Sequence, residues 1–183
     1  PRCALSMGLF DKLFQNDLQQ RLAQLRPRLH RTATAWCGNA HQADDLVQEA
    51  LLKAWSRKSQ LKDRKALDSW VFSILANCFR DNCRKRGEFS ELADLPAEQR
   101  SAEEEVMASQ TVLRVRQAIG RLAQGQREVL MLVDLEGFSY AEVSNILGLP
   151  MGTVMSRLNR ARQRLKQLLA SREAPVSYLE RVK

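Results

Sequence analysis

The sequence predicts an all-α protein built of two small helical domains joined by a flexible acidic linker. Apolar residues recur at three- and four-residue spacing nearly throughout, which is the pattern of helices that bury one face. Gly and Pro are sparse, 8 and 5 in 183 residues, and no segment keeps the alternating apolar and polar order of a strand. One stretch breaks the pattern. RGEFSELADLPAEQRSAEEE holds Gly87, Pro96 and a dense acidic run without an apolar stripe, and it reads as a linker over 87–107. The domains on either side span 16–86 and 108–171, and a hydrophobic fraction of 44% is enough for a core in each.

In the first domain, HQADDLVQEALLKAW predicts a helix with Asp44 and Asp45 in its first turn, where the helix dipole favours acids. Leu46, Val47, Ala50, Leu51 and Ala54 form its buried face. Leu52 falls on the other side, between Asp45 and Gln48, with Trp55 at the edge and Glu49 nearby. Single exposed apolar residues are ordinary, but a Leu and a Trp framed by acids and an amide also suit a partner's groove. A further helix, from about Leu67 to Arg86, lines Leu67, Val71, Ile74, Leu75 and Cys78 along one side as a core stripe. Trp70, Ser73, Asn77, Arg80 and Arg84 share the opposite side. Bases stack on aromatic rings while cations follow the phosphate backbone, so this mixture suits single-stranded nucleic acid; a core Trp beside solvated arginines has the same pattern.

In the second domain, Ser139-Tyr140-Ala141-Glu142 is a capping box that starts a helix at Tyr140. The helix ends at Leu147-Gly148, where Gly takes the left-handed conformation, and Leu149-Pro150 opens the next with Pro150 at its entry. Helix, short Gly turn and helix make a helix-turn-helix. On the second of these helices Val154, Leu158, Ala161, Leu165 and Leu168 form an apolar stripe, and Thr153, Arg157, Arg160 and Arg164 form a polar one about a right angle away. One stripe packs on helices at 112–122 and 126–135; the other offers guanidinium groups to phosphates and guanine edges.

Net charge is +8, unevenly spread: Glu88, Glu91, Asp94, Glu98, Glu103, Glu104 and Glu105 stand in the linker against Arg100 alone, so basic domains flank an acidic connector. A basic balance favours a polyanionic partner, although a solvated Lys/Arg surface looks the same. No apolar run approaches the roughly 20 residues that cross a membrane, and no secretory pattern is present, so a cytoplasmic protein is expected. PRCALS, ahead of Met7, is left out of the fold reading. Cys3, Cys37, Cys78 and Cys83 are too few and too irregular for a disulfide framework and are expected as reduced, mostly buried thiols. Cys37 with His41, and Cys78 with Cys83, lack the paired repeats of a zinc site, so no metal or cofactor is expected. Neither a nucleophile motif nor clustered acids at metal spacing accompany the basic faces; no catalytic residue is assigned and no enzyme is expected.

These motifs carry a resemblance. The run LEGFSYAEVSNILGLPMGTVMSRLNRARQRLKQLL resembles the C-terminal domain of extracytoplasmic-function (ECF) sigma factors of the sigma-70 family, and HQADDLVQEALLKAW resembles their polymerase-binding motif. With LRPRLHRTATAWCG, the resemblance covers most of 25–86 and 110–169. It implies that the first domain is region 2-like and the second region 4-like. It further implies contacts to core RNA polymerase at Asp45, Gln48, Glu49, Leu52 and Trp55, and to the minus-35 promoter element at Thr153, Ser156, Arg157 and Arg160. The helix bearing Trp70, Ser73, Asn77, Arg80 and Arg84 would take up the unpaired minus-10 strand, with Asn77 at the position used for a flipped base. Met155 stands where the family often has Lys or Arg, and the loop with Lys58, Lys62, Arg64 and Lys65 departs from the family's more common F-R-G-type loop. Implied partners are core RNA polymerase, promoter DNA and an anti-sigma factor, often membrane-bound. The chain is shorter than primary sigma factors, with their extra N-terminal and middle domains. The competing reading is a dimeric helix-turn-helix regulator that binds an operator without polymerase.

Overall fold

In a computed structural model of the chain, the described residues are 4–61, 63–86 and 110–170, and they form helices and short helical turns with no strand among them. Cys3, Lys62 and the acidic linker over 87–107 lie outside the described residues. Helix α1 (Ala4–Cys37) starts ahead of residue 16 and takes in the last residues of PRCALS. It buries Leu18, Leu22, Leu25, Leu29, Ala33 and Trp36, a single stripe at helical spacing. Pro27 sits inside α1 and cannot donate to the carbonyl of Ala23; both residues lie on the exposed side of the helix. Gly38, at φ 73°, ends the helix and donates to the Thr34 carbonyl at 2.9 Å.

Helix α2 (Ala40–Ser56) corrects one expectation. Asn39 caps it, accepting the Gln42 amide on its side-chain oxygen at 3.3 Å, so the helix begins at Ala40 and its first turn contains no acid. Asp44 and Asp45 therefore lie past the dipole's strongest reach, and Asp44 instead meets His30 Nε2 at 3.3 Å. The apolar face is as expected: Leu46, Val47, Ala50 and Ala54 are buried together with Ala43, and Leu51 is half-buried. Two 3-10 turns (Lys58–Gln60 and Arg64–Ala66) lead into α3 (Leu67–Arg86). Leu67, Val71, Ile74, Leu75 and Cys78 are buried, and so is a second stripe, Phe72, Ala76, Phe79 and Cys83. The second stripe gives α3 two packed sides. Phe79 meets Trp36 of α1 at 5.3 Å between ring centroids, and Phe72 meets Phe138 of the second domain edge-on at 5.1 Å.

The second domain comprises α4 (Gln110–Gly120), α5 (Gln124–Leu130) continued by a π-helical turn (Met131–Leu135), α6 (Tyr140–Leu147) and α7 (Met151–Ala170). Val143, Ile146, Leu147, Val154, Leu158 and Ala161 join Leu122, Val129 and Leu132 in its core. The capping box is formed as read: the Ser139 hydroxyl accepts the Glu142 amide at 3.3 Å, and Glu142 Oε2 accepts the Ser139 amide at 2.8 Å. Gly148 ends α6 at φ 63° and ψ 36°, donating to the Ser144 carbonyl. Pro150 stands at the cap of α7 rather than inside it, since its carbonyl accepts from Thr153 at 2.9 Å and Val154 at 3.1 Å.

Ser139→Ala is expected to lower stability by about 0.5–2 kcal/mol, the usual cost of losing an N-cap oxygen. The side-chain and backbone hydrogen bonds from Ser139 hold the Glu142 carboxyl below its ordinary range. A depressed folded pKa adds stability that is present above the unfolded pKa and lost as pH falls through the folded one. The gap between wild type and Ser139→Ala, measured by urea unfolding, should therefore narrow on acidification through the carboxylate range. A gap that stays constant with pH would separate the cap from the carboxylate.

Candidate nucleic-acid and polymerase interfaces

Helix α7 packs on the domain along one stripe and leaves most of the rest of its surface exposed. Val154, Leu158 and Ala161 are buried, Leu165 and Leu168 half-buried, and Ser156, Arg160 and Arg164 point outward as exposed side chains. Thr153 and Arg157 are half-buried. The Arg157 guanidinium lies over Gly125 of α5 so closely that a Cβ at 125 would come within 2.6 Å of Nη1. Arg157 is thus turned toward the flank of the helix, and Arg160 is the outward cation at the entry half. On the other flank Arg162 binds Asp134 at 2.5 and 3.1 Å, a bond that raises its pKa and ties α7 to the π-helical turn.

On α2, Leu52 projects into solvent with 71% of its surface exposed, and Trp55 keeps 37%. Asp45 and Gln48 are exposed on the same side. Glu49 is engaged by Lys53 at 2.7 Å, and Lys58 Nζ sits 4.3 Å from the Trp55 ring centroid, so the ring is held in place by a cation on the following turn. The five expected polymerase contacts therefore share one exposed helix face, apolar at its centre and polar around it.

The five residues expected on the outer side of α3 are divided by the fold. Asn77 and Arg84 are exposed, and Arg84 pairs with Asp81 one turn back. Trp70 packs partly against the core, and Ser73 donates to the Trp70 carbonyl at 2.7 Å. Arg80 is turned inward to the second domain: it reaches Glu128 Oε2 with Nη2 at 2.8 Å and Nε at 3.3 Å, and the Leu147 carbonyl with Nη1 at 2.7 Å. The cause is the second apolar stripe of α3, which draws the second domain onto this side of the helix.

The structure thus assembles a polar seam that was not foreseen, made of Arg28, Thr32, Arg127, Glu128 and Glu136. Arg28 Nε donates to Glu136 at 2.9 Å and Nη1 to Asp68 at 2.7 Å, and the Thr32 hydroxyl donates to Glu136 at 3.0 Å. Burial pulls the Arg28 pKa down, but the hydrogen bonds to Glu136 and Asp68 outweigh it and the net shift is upward. Arg127, buried in α5, donates to the Trp36 carbonyl at the end of α1 at 2.8 Å; desolvation lowers its pKa. One of these residues had a readable signal. Glu128 stands three and four residues before Met131 and Leu132, on the buried side of its helix, where a carboxylate requires a partner.

Cys78 is buried beside Lys53 Nζ at 3.4 Å, and desolvation raises its thiol pKa, the environment of an unreactive thiol. Among the described residues no three His, Cys, Asp or Glu side chains gather to hold a metal, and no helix is long and apolar enough to cross a membrane.

Comparison with known proteins agrees with this architecture. The family model for sigma-70 region 2 matches residues 22–89, and that for sigma-70 region 4 matches 113–165. The chain is 41% identical over 155 residues to the ECF RNA polymerase sigma factor EcfG of Rhodopseudomonas palustris, covering 84% of this chain and 86% of that one. It is 34% identical over 163 residues to the ECF RNA polymerase sigma factor SigM of Mycobacterium tuberculosis, covering 87% and 76%. Among solved structures, the sigma factor RpoE of Bartonella quintana, in complex with the anti-sigma factor NepR, superposes with a TM-score of 0.70 at 32% identity over 84% of this chain and 97% of that one. CnrH, in complex with the cytosolic domain of CnrY, gives a TM-score of 0.60 at 27% identity, covering 86% and 90%. Two helical domains with matching region 2 and region 4 sequences, and relatives matched over most of their own length, place this chain in the ECF group of the sigma-70 family of RNA polymerase sigma factors.

Proposed function

We propose that this sigma factor docks on core RNA polymerase through Asp45, Gln48, Glu49, Leu52 and Trp55, and reads the minus-35 element with the outward side of α7. The unpaired minus-10 strand falls to α3, through Trp70, Ser73, Asn77, Arg80 and Arg84. The observation that carries this reading is the exposed Leu52 at the centre of a polar face, a residue that serves no core and fits a partner. No chemistry is needed for strand opening. Extruding a base costs a few kcal/mol, which pocket contacts and neutralised phosphates offset, so binding captures the open strand. The acidic stretch over 87–107 serves as the connector that lets the two domains reach two promoter elements. Control by an anti-sigma factor follows from the relatives solved in complex with one.

Within the minus-35 set the geometry favours Thr153, Ser156 and Arg160 at the groove, with Arg157 supporting the helix from its flank. Arg160→Ala is expected to remove about 1–3 kcal/mol of discrimination at a single upstream base pair, the value of one bidentate contact. The experiment is transcription with purified core polymerase on a promoter library, wild type against variant. Core-dependent starts at a defined site, with the loss confined to upstream sequence, support the reading. Nanomolar binding of a palindromic duplex by the chain alone, with no effect on polymerase, would replace it with the dimeric regulator.

A further inference from the structure

Helix α7 carries Arg157, Arg160, Arg162, Arg164 and Lys166 and no acid, the charge of an element laid against a polyanion. Cations of this kind place a protein on phosphates without naming a base. The groups able to name one are few, because most polar heads on the entry half of α7 are already engaged. The Ser156 hydroxyl donates to the Thr153 carbonyl at 3.1 Å, Arg162 is held by Asp134, and the Arg157 guanidinium lies against Gly125. Met155 is 51% exposed and has no N–H or O–H to donate. Asn159, one turn after Met155 and next to Arg160, is exposed, and among the described residues no hydrogen bond engages its side-chain amide.

Asn159 is also out of place by local rules. Asparagine is a poor helix former, since its amide competes for backbone groups, and it is favoured at caps and turns; here it stands well inside a 20-residue helix. The exposed positions that follow, Gln163, Arg164, Lys166 and Gln167, hold strong helix formers. A local cost with no local gain marks a residue kept for what it touches. At about 100° per residue, Asn159 and Arg160 fall to either side of the line opposite the buried Val154, Leu158 and Ala161, so both heads face one groove.

An amide chooses its base by chemistry. Its carbonyl accepts one hydrogen bond while its NH2 donates another, and in the major groove adenine presents the complement side by side, an N6 amino donor and an N7 acceptor. Guanine shows two acceptors there, and one of them would face the amide carbonyl. We propose that Asn159 is a specificity-determining residue of the minus-35 helix, reading one adenine through N6 and N7 beside the base pair taken by Arg160. The inference rests on the reading of α7 as the minus-35 helix, and it adds to that reading both a residue and the identity of a base.

The test is transcription with core RNA polymerase and the full chain on a promoter library varied base by base in the upstream element. Asn159→Ala is expected to lose roughly 5- to 150-fold of preference at one A·T pair and little elsewhere, the size of one bidentate contact. Asn159→Arg, whose fork matches guanine N7 and O6, should move the preference at that same position from A to G. A 7-deazaadenine placed there lacks only the N7 acceptor; it should weaken wild type and leave Asn159→Ala unchanged. The free Asn159→Ala chain should melt at or above the wild-type temperature, since alanine is the better helix former. A uniform loss across all upstream sequences makes Asn159 a phosphate contact and overturns the proposal. So does an unchanged preference, or a melt several degrees lower, which makes the residue structural. Arg160→Ala on the same library tells this failure from that of the minus-35 reading. If Arg160→Ala alters preference at an upstream pair and the Asn159 variants do not, Asn159 alone is misassigned; if neither does, the minus-35 reading falls with it.

Discussion

Leu52→Asp is expected to leave the free chain folded and to cost about 2 kcal/mol or more of affinity for core RNA polymerase. Both halves follow from one observation, the 71% exposure of this leucine on a helix whose other side is fully packed. In the free protein the new carboxylate stays in water. Its penalties are a lower helix propensity and weak repulsion from Glu49 three residues earlier, each a few tenths of a kcal/mol. In the complex it would enter a groove that excludes water, where an unpaired charge is heavily disfavoured. Leu52→Asn separates the two causes, because it removes the same apolar contact without adding charge and should lose less. Thermal unfolding of the free variants and a fluorescence titration against core polymerase make the pair of measurements. A melt several degrees lower would identify Leu52 as core, and normal folding with normal binding would make it idle surface.

Features set within one turn of helix were legible in the sequence, because their partners are three or four residues away. The Ser139–Glu142 box, the left-handed Gly148 and the apolar stripe through Val154, Leu158 and Ala161 all stand where spacing places them. The start of α2 was missed for an equally local reason. Asn39 and Asp44 are both competent near a helix start, and the acids drew the boundary past the residue that actually caps it. What stayed hidden depends on the other domain. Phe72, Ala76, Phe79 and Cys83 make a second stripe on α3 that is meaningful only once something covers it, and Arg80 beside it reads as a solvent-facing cation until Glu128 arrives from far along the chain. Glu136 follows a π-helical turn, whose altered period breaks the link between spacing and face, so no local pattern foretells its burial. The exposure of the proposed polymerase and minus-35 residues is set within single elements and could be expected from spacing; that of the proposed minus-10 residues depends on the seam and could be expected only in part.

Trp36→Ala is expected to have the largest effect on stability, about 3–5 kcal/mol, because it empties the site of the bulkiest fully buried side chain. Against a typical total of about 5–15 kcal/mol this is a large share, and at roughly 2–4 °C per kcal/mol the melting temperature should fall by about 6–20 °C. The position joins three parts of the molecule: the ring packs at a tilt against Phe79 of α3, the backbone carbonyl accepts Arg127 of the second domain, and Gly38 turns the chain two residues later. Alanine keeps that carbonyl. Any loosening of the interdomain seam in the variant must then come from the freed end of α1 rather than from a deleted acceptor. Trp36→Phe provides the contrast. Trp36 Nε1 is buried with no hydrogen-bond partner among the described residues, a defect whose removal recovers about 1–3 kcal/mol and offsets the lost volume. Phenylalanine should accordingly lie close to wild type while alanine lies far below it, as read by circular dichroism on heating. Equal losses for the two would show that the indole N–H is satisfied in solution and that its hydrogen bond rather than ring volume sets the stability of this joint, since phenylalanine keeps most of that volume, whereas near-normal melting of Trp36→Ala would mean that the end of α1 is held by Arg127 and Gly38 without the ring.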